Sequence, residues 1–472
     1  MPEGCLEGVI VAPDSRRRAL AVCLVAAFMT GLDVSIVNVA LPSIRDGLHA
    51  SDDGLQWTVS GYALTFGLLL VPAGRLGDAR SRRTIFMWGV VLFTLSSAAC
   101  GLAGSMNVLI VARLIQGLAA GMMNPQVSGM IQQMFQGYER GRAFGALGAT
   151  IGVATAAGPL IGGALVTAFG ADHGWRWVFL VNLPIGLVLL PLAWKLLPRQ
   201  RQVPRRPESM DPVGVLLLGI GVAGLLLPFI QRHQWEGEAK WLLVPAALVV
   251  LAGFVTWERH YRREPLVTLA LFRKRSYSLG STIALFYFAG FTGIFFIFTL
   301  YLQSGHGYSP LLAGLAITPF ALGSASAAVV GGHLVGRLGR RLVAIGLSMV
   351  IAGLLATMAA TALVPGQATG LATALPLLLA GMGSGLVISP NQAITLSEVP
   401  PEGGGSAAGV LQTGQRLGSA IGIAAAGTTF FGSLGQGWAT AFRHGLVVVV
   451  ISVAIALSAA LYDLLRTSRS PS

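Results

Sequence analysis

Charge is scarce in this sequence. Only 11% of its 472 residues are Asp, Glu, Lys or Arg, less than half the roughly 25% of an ordinary soluble domain. A water-facing globular surface cannot be built at that density. Acidic residues are scarcest, 19 against 32 Lys and Arg. The pI near 10.5 invites a nucleic-acid reading until the positions of the basic residues are considered. There are three cysteines, Cys5, Cys23 and Cys100, too scattered for a disulfide framework or a zinc site. No GxxxxGK[ST] loop is present to cradle ATP phosphates, no HExxH or GxSxG motif occurs, and no acidic pair stands ready for hydrolysis. No enzyme, cofactor or metal centre is therefore expected.

Apolar sequence takes the place of charge: 54% of the residues are hydrophobic and the mean hydropathy is +0.71. Fourteen stretches approach the ~20 residues that span ~30 Å of hydrocarbon as helix. They run over 19–44, 55–77, 84–104, 106–135, 141–169, 175–197, 212–230, 240–259, 277–304, 309–336, 341–363, 370–396, 404–434 and 438–463. They are continuously apolar rather than alternating, so they predict helices and exclude a transmembrane β-barrel. Arg16, Arg17 and Arg18 precede the first run, but that run is longer than a signal peptide's apolar core and reads as a retained span.

Placing the N-terminus in the cytoplasm sorts the basic residues. Inner segments then collect Arg16–Arg18, Arg75, Arg80, Arg82, Arg83, Arg140 and Arg142. They also collect the group from Lys195 to Arg206, the group from Arg259 to Arg275, Arg337, Arg340, Arg341, Arg466 and Arg469. Outer segments hold few, such as Arg45 and Arg176. This is the positive-inside pattern. The net charge of +13 thus reflects topology and anionic lipid, not nucleic acid. Both termini are expected in the cytoplasm and the protein in the cytoplasmic membrane.

Two loops resemble each other. GRLGDARSRR (Gly74 to Arg83) and GHLVGRLGRR (Gly332 to Arg341) share Gly, Leu and a closing Arg-Arg pair. QGLAAGMMNP and AGMGSGLVISP are likewise glycine-rich runs ending in proline. Paired motifs predict a duplicated transporter with its site between the halves. The expected units are an N-terminal six-helix bundle (1–197), a linker carrying two extra helices (198–276) and a C-terminal six-helix bundle (277–472).

Taken in order, the motifs resemble a known family. LDVSIVNVALP (Leu32 to Pro42), the Gly74–Arg83 loop, ARLIQG (Ala112 to Gly117), GPLIGG (Gly158 to Gly163) and WRWVFLVNLPIG (Trp175 to Gly186) are similar to those of the fourteen-helix drug:proton antiporters of the major facilitator superfamily, the EmrB/QacA type. The first gating loop departs from the family pattern with Ala79 and Ser81 in place of Arg and Gly. The second copy has Gly336 in place of the acidic residue, and the antiporter motif lacks an upstream Gly-Pro pair. The resemblance implies a major facilitator fold and proton-coupled export of small hydrophobic or aromatic compounds. Export of one endogenous metabolite and proton-coupled import are the alternatives. The expected partners are the small-molecule substrate, protons and lipid, with the chain acting as a monomer.

Asp33 is the only carboxylate well inside a predicted helix. Such a residue marks an ion or substrate path more often than a structural post. Counting 1.5 Å per residue from the helix ends puts Arg113 at about the same depth. Desolvation disfavours an ionised carboxyl and a nearby guanidinium favours it, so the pair is assigned to proton coupling. The same reading puts Asn38, Gln116, Phe291, Phe295, Asn391, Gln412 and Arg416 in the substrate cavity. For Arg416, contact with substrate and capping of carbonyls are equally open. Gating is assigned to Gly74, Asp78, Arg82, Arg83, Gly158, Pro159, Arg337 and Arg340. Of the eight aromatics of the ninth helix, two or three are expected at substrate and most against lipid. With Asp33 the only membrane acid, neutral, zwitterionic or monocationic aromatic substrates are expected to be favoured over dications.

Overall fold

The computed structural model describes residues 13–170, 172–198, 211–230, 237–261, 265–364 and 366–467. Cys5, the linker from 199 to 210 with its arginines, Arg232, Arg262, Arg263 and Arg469 lie outside the described residues.

The described chain is helical with no strand. In chain order the long helices are α1 (Pro13–Leu48), α2 (Asp52–Leu76), α3 (Arg82–Gly101), α4 (Met106–Met134), α5 (Gly137–Phe169), α6 (Gly174–Leu196), α7 (Pro212–Ile230), α8 (Leu243–His260), α9 (Arg275–Leu300), α10 (Pro310–Leu338), α11 (Arg340–Leu363), α12 (Ala374–Thr395), α13 (Gly404–Gly432) and α14 (Trp438–Thr467). Among the described residues, eleven helical runs are long and apolar enough to cross a membrane. One of these, Asp53–Gly101, contains both α2 and α3. Ser81 adopts an extended conformation and caps the Thr84 amide, so α3 turns back from α2. α7 is shorter, and α13 is diluted by Gln412, Gln415 and Arg416. With these the fourteen helices expected from the sequence are all present.

α1–α6 pack together, as do α9–α14, and the two bundles meet along α2 with α13 and α5 with α10. Small residues make that meeting close. A Cβ on Gly145 would lie 2.8 Å from the Ala328 carbonyl oxygen, and one on Gly74 would lie 2.7 Å from the Gly405 carbonyl carbon. Such contacts replace the hydrophobic drive that lipid does not supply between helices. α7 and α8 pair with each other, and α7 rests on both α2 and α13.

α9 carries its aromatics at two levels of burial. Tyr287, Phe298 and Tyr301 are buried, and Phe286, Phe288, Phe291, Phe295 and Phe296 are partly buried. The other five keep accessible surface, while α12, α13 and α14 pack on the helix.

Candidate functional site

α1 carries Asp33 into the middle of the N-terminal bundle, where it is fully buried. Three side chains donate to it. Arg113 Nη1 lies 2.7 Å from Oδ2, and Gln116 Nε2 and Asn182 Nδ2 lie 2.9 and 3.1 Å from Oδ1. A buried carboxylate needs this many donors, since each unmet lone pair would carry a desolvation cost. Arg113 in turn donates from Nε to the Thr58 carbonyl at 3.0 Å and from Nη1 to Gln116 Oε1 at 2.8 Å. Its guanidinium carbon stands 4.2 Å from the centroid of the Tyr62 ring. Ser97 Oγ accepts from Gln116 and Asn182 and donates to the Phe179 carbonyl at 2.9 Å.

The local sequence explains the placement. Arg113 and Gln116 are three residues apart on α4 and so share a face. Asn182 sits where α6 breaks, at Val181. Pro184 has no amide to give the Leu180 carbonyl, which loosens the helix there. Asn182 and Ser97 were missed in the sequence. An uncharged polar residue inside an apolar run is a weak signal, and the place of Asn182 within WRWVFLVNLPIG was the available clue.

The second site is a clasp at the end of the molecule that carries the arginine-rich loops. Asp78 Oδ1 accepts from Arg82 Nε at 2.9 Å and Nη2 at 2.6 Å, and from the Gly405 amide at 3.0 Å. Oδ2 accepts from the Ser406 amide at 2.7 Å and its hydroxyl at 2.9 Å. A carboxylate of the first bundle thus caps the N-terminus of α13 in the second, where unpaired amides and the helix dipole favour negative charge. Arg82 completes the clasp by donating to the Pro401 and Glu402 carbonyls and, at 2.9 Å, to Gly129. Beside it, Ser128 Oγ accepts from Gln392 at 3.0 Å and Gln412 at 3.2 Å, both from the other bundle.

Several assignments change. Arg83 binds the Trp194 carbonyl and stacks on that ring at 4.9 Å, so it braces α3 on α6 inside one bundle. Arg337 is exposed and makes no ion pair among the described residues. Arg340 does not reach the clasp: its Nε donates to Asp463 Oδ2 at 2.9 Å and its Nη1 to Asn391 Oδ1 at 2.5 Å. Arg275 Nε meets the other Asp463 oxygen at 2.8 Å. α14 therefore supplies the acid that the second loop lacks at Gly336, and Asn391 belongs to this network rather than to a cavity wall. Gln116 likewise faces Asp33 within the bundle.

The remaining positions are as follows. Asn38 is exposed on α1, with its amide on the Val34 carbonyl at 3.4 Å. Phe291 and Phe295 pack edge to face at 5.0 Å, and both contact Phe320 of α10. Gly158 seats α5 on α1, where a Cβ would lie 2.9 Å from the Ile36 amide nitrogen. Pro159 faces Gly314 of α10.

Two helical bundles meeting along glycine-lined seams, one holding a fully buried ion pair midway along its apolar helices, define a polytopic membrane transporter. The sequence matches the model of the Major Facilitator Superfamily over residues 23–423, and the chain belongs to that family. It is 38% identical over 442 residues to a probable actinorhodin transporter of Streptomyces coelicolor, covering 92% of this chain and 76% of that one. It is 36% identical to the multidrug resistance protein Stp of Mycobacterium tuberculosis (85% and 73% covered). It is 33% identical to the tetracenomycin C resistance and export protein of Streptomyces glaucescens (91% and 79% covered). Among solved structures, the proton:xylose symporter XylE superimposes with a TM-score of 0.68 at 16% identity, covering 96% of this chain and 95% of that one. The human organic anion transporter MFSD10 also gives 0.68, at 14% identity and with 94% and 100% covered. At those identities the structures share the fold alone.

Proposed function

We propose that this protein is a proton-driven antiporter of the EmrB/QacA type that exports small aromatic compounds across the cytoplasmic membrane. Its arginine-rich end and both termini face the cytoplasm. The observation that carries this reading is the Asp33–Arg113 pair, an ionisable carboxyl fully buried at 2.7 Å from its counter-ion in a chain whose relatives are named for actinorhodin transport and for tetracenomycin C resistance and export. An intramembrane acid of this kind takes a proton when its donors separate and releases it when they close, which links protonation to the rocking of the bundles. The Asp78 clasp joins the two bundles at that end, and its making and breaking gates access from the cytoplasm. Two of the cited relatives are named for a single compound each, which favours export of one endogenous metabolite as the second reading. The test is fluorescent-dye transport in inverted vesicles energised by a proton gradient. Accumulation that a protonophore abolishes is expected, and dye movement indifferent to the gradient would refute proton coupling.

A further inference from the structure

Arg416 is an intramembrane charge that the Asp33 cluster leaves out. It stands twelve residues past Gly404, about 18 Å along α13 at 1.5 Å per residue, above the seam where Gly74 meets Gly405 and Leu70 meets Gly409. Its guanidinium carbon lies 4.2 Å from the centroid of Phe66. Phe66 meets Tyr62 edge to face at 5.9 Å, and Arg113 covers Tyr62 at 4.2 Å. The aromatic pair therefore has a guanidinium at each end. Arg113 is neutralised by Asp33. Arg416 is not: among the described residues it makes no hydrogen bond and no ion pair, and its guanidinium rests on the face of Phe66.

Capping of carbonyls, one of the two roles open from the sequence, is thus not what Arg416 does. Its five N–H donors meet no acceptor among the described residues, and the residue is only partly buried. One turn earlier, Thr413 Oγ1 and Gln412 Oε1 are buried without partners, and so is the Tyr62 hydroxyl. A membrane helix does not carry an unpaired guanidinium one turn from buried, unmet polar atoms for packing, because each has a cost that an apolar side chain avoids. The cost is offset when a ligand supplies the missing charge and hydrogen bonds.

We propose that Arg416, held on Phe66, is the subsite for the anionic group, a carboxylate or ionised phenol, of a planar aromatic substrate. Gln412 and Thr413 complete its polar wall. This rests on the export reading above and narrows its substrate class. It also places monocations with dications among the poorly carried compounds. Arg416 keeps its charge at every stage of the cycle, so it selects the substrate while Asp33 handles the proton. Outward movement of a monoanion against one inward proton carries two positive charges inward, against one for a neutral substrate. An inside-negative potential therefore drives both halves of the exchange.

The test uses three probes with one ring system: anthracene carboxylate, its methyl ester and the matching anthracenylmethylammonium. Binding to the purified protein is read by fluorescence titration, and export by proteoliposomes under an imposed pH gradient. The carboxylate is expected to bind wild type at least about tenfold more tightly than the other two, the size of one charge-assisted contact. Arg416→Gln removes that advantage while changing ester affinity less than twofold, and Arg416→Lys keeps part of it. The ranking on wild type needs no variant to fold. Equal binding of all three probes, binding of none, or an undiminished carboxylate affinity in Arg416→Gln would overturn the subsite. Ester export with the carboxylate excluded also overturns it and leaves the export reading intact. Arg416-dependent carboxylate binding without gradient-driven export upholds the subsite and sinks the export reading instead.

Discussion

Asp33 is held by three donors and Arg113 by three acceptors and an aromatic face, so removing either partner strands a charge in the bundle. Arg113→Ala should cost about 3–5 kcal/mol, the usual penalty for breaking a buried ion pair from one side, measured as loss of denaturant or thermal stability in detergent. Asp33→Asn fits the same space and should cost less. The double variant should be more stable than the two losses summed, because neither charge is then left alone; simple additivity would show that the two do not interact. Asn182→Leu should cost about 1–3 kcal/mol by leaving Asp33 Oδ1 and Ser97 each short of a donor. At this scale the sequence exposed the charges and hid the neutral polar residues. Asp33 and Arg113 stood out because charge is rare in an apolar helix, and counting along the helices put them at one depth. Asn182 and Ser97 had no such contrast. Arg83, Arg337 and Arg340 were grouped with Arg82 because a loop motif does not say which bundle each side chain faces.

The elements that bring the bundles together are α2 with α13 and α5 with α10. Asp78→Asn removes the charge that caps α13 and pairs with Arg82, so the arginine-rich end should open at least about tenfold more often. Spin labels at Arg80→Cys and Ser397→Cys, in a background lacking the native cysteines, would report that opening as a longer distance population. An unchanged distribution would mean that the seam, not the clasp, sets the equilibrium. Gly145→Val should act on the seam itself, because its side chain meets the Ala328 carbonyl oxygen and the Gly332 Cα, and should prevent closure at that end even with Asp78 intact. Helix positions were legible because lipid forces continuous apolar runs. The partners along each seam were not, since small residues mark close approach without naming what approaches.

Two helical bundles were expected from the paired motifs, and two bundles are present, with α7 resting on α2 and α13 and α8 paired with α7. The orientation gives a direct expectation: Ala239→Cys, before α8, should react with a membrane-impermeant thiol reagent from outside the cell and Arg80→Cys only from inside. Reversal of that pattern would invert the proposed direction of transport. The central claim is that one carboxyl, Asp33, converts a proton gradient into uphill substrate movement. Its most direct test compares wild type with Asp33→Asn in proteoliposomes, reading in the same preparation gradient-driven substrate accumulation and gradient-free exchange of labelled for unlabelled substrate. The expected result is that Asp33→Asn retains exchange and loses accumulation entirely. Accumulation by Asp33→Asn at the wild-type level would contradict the account.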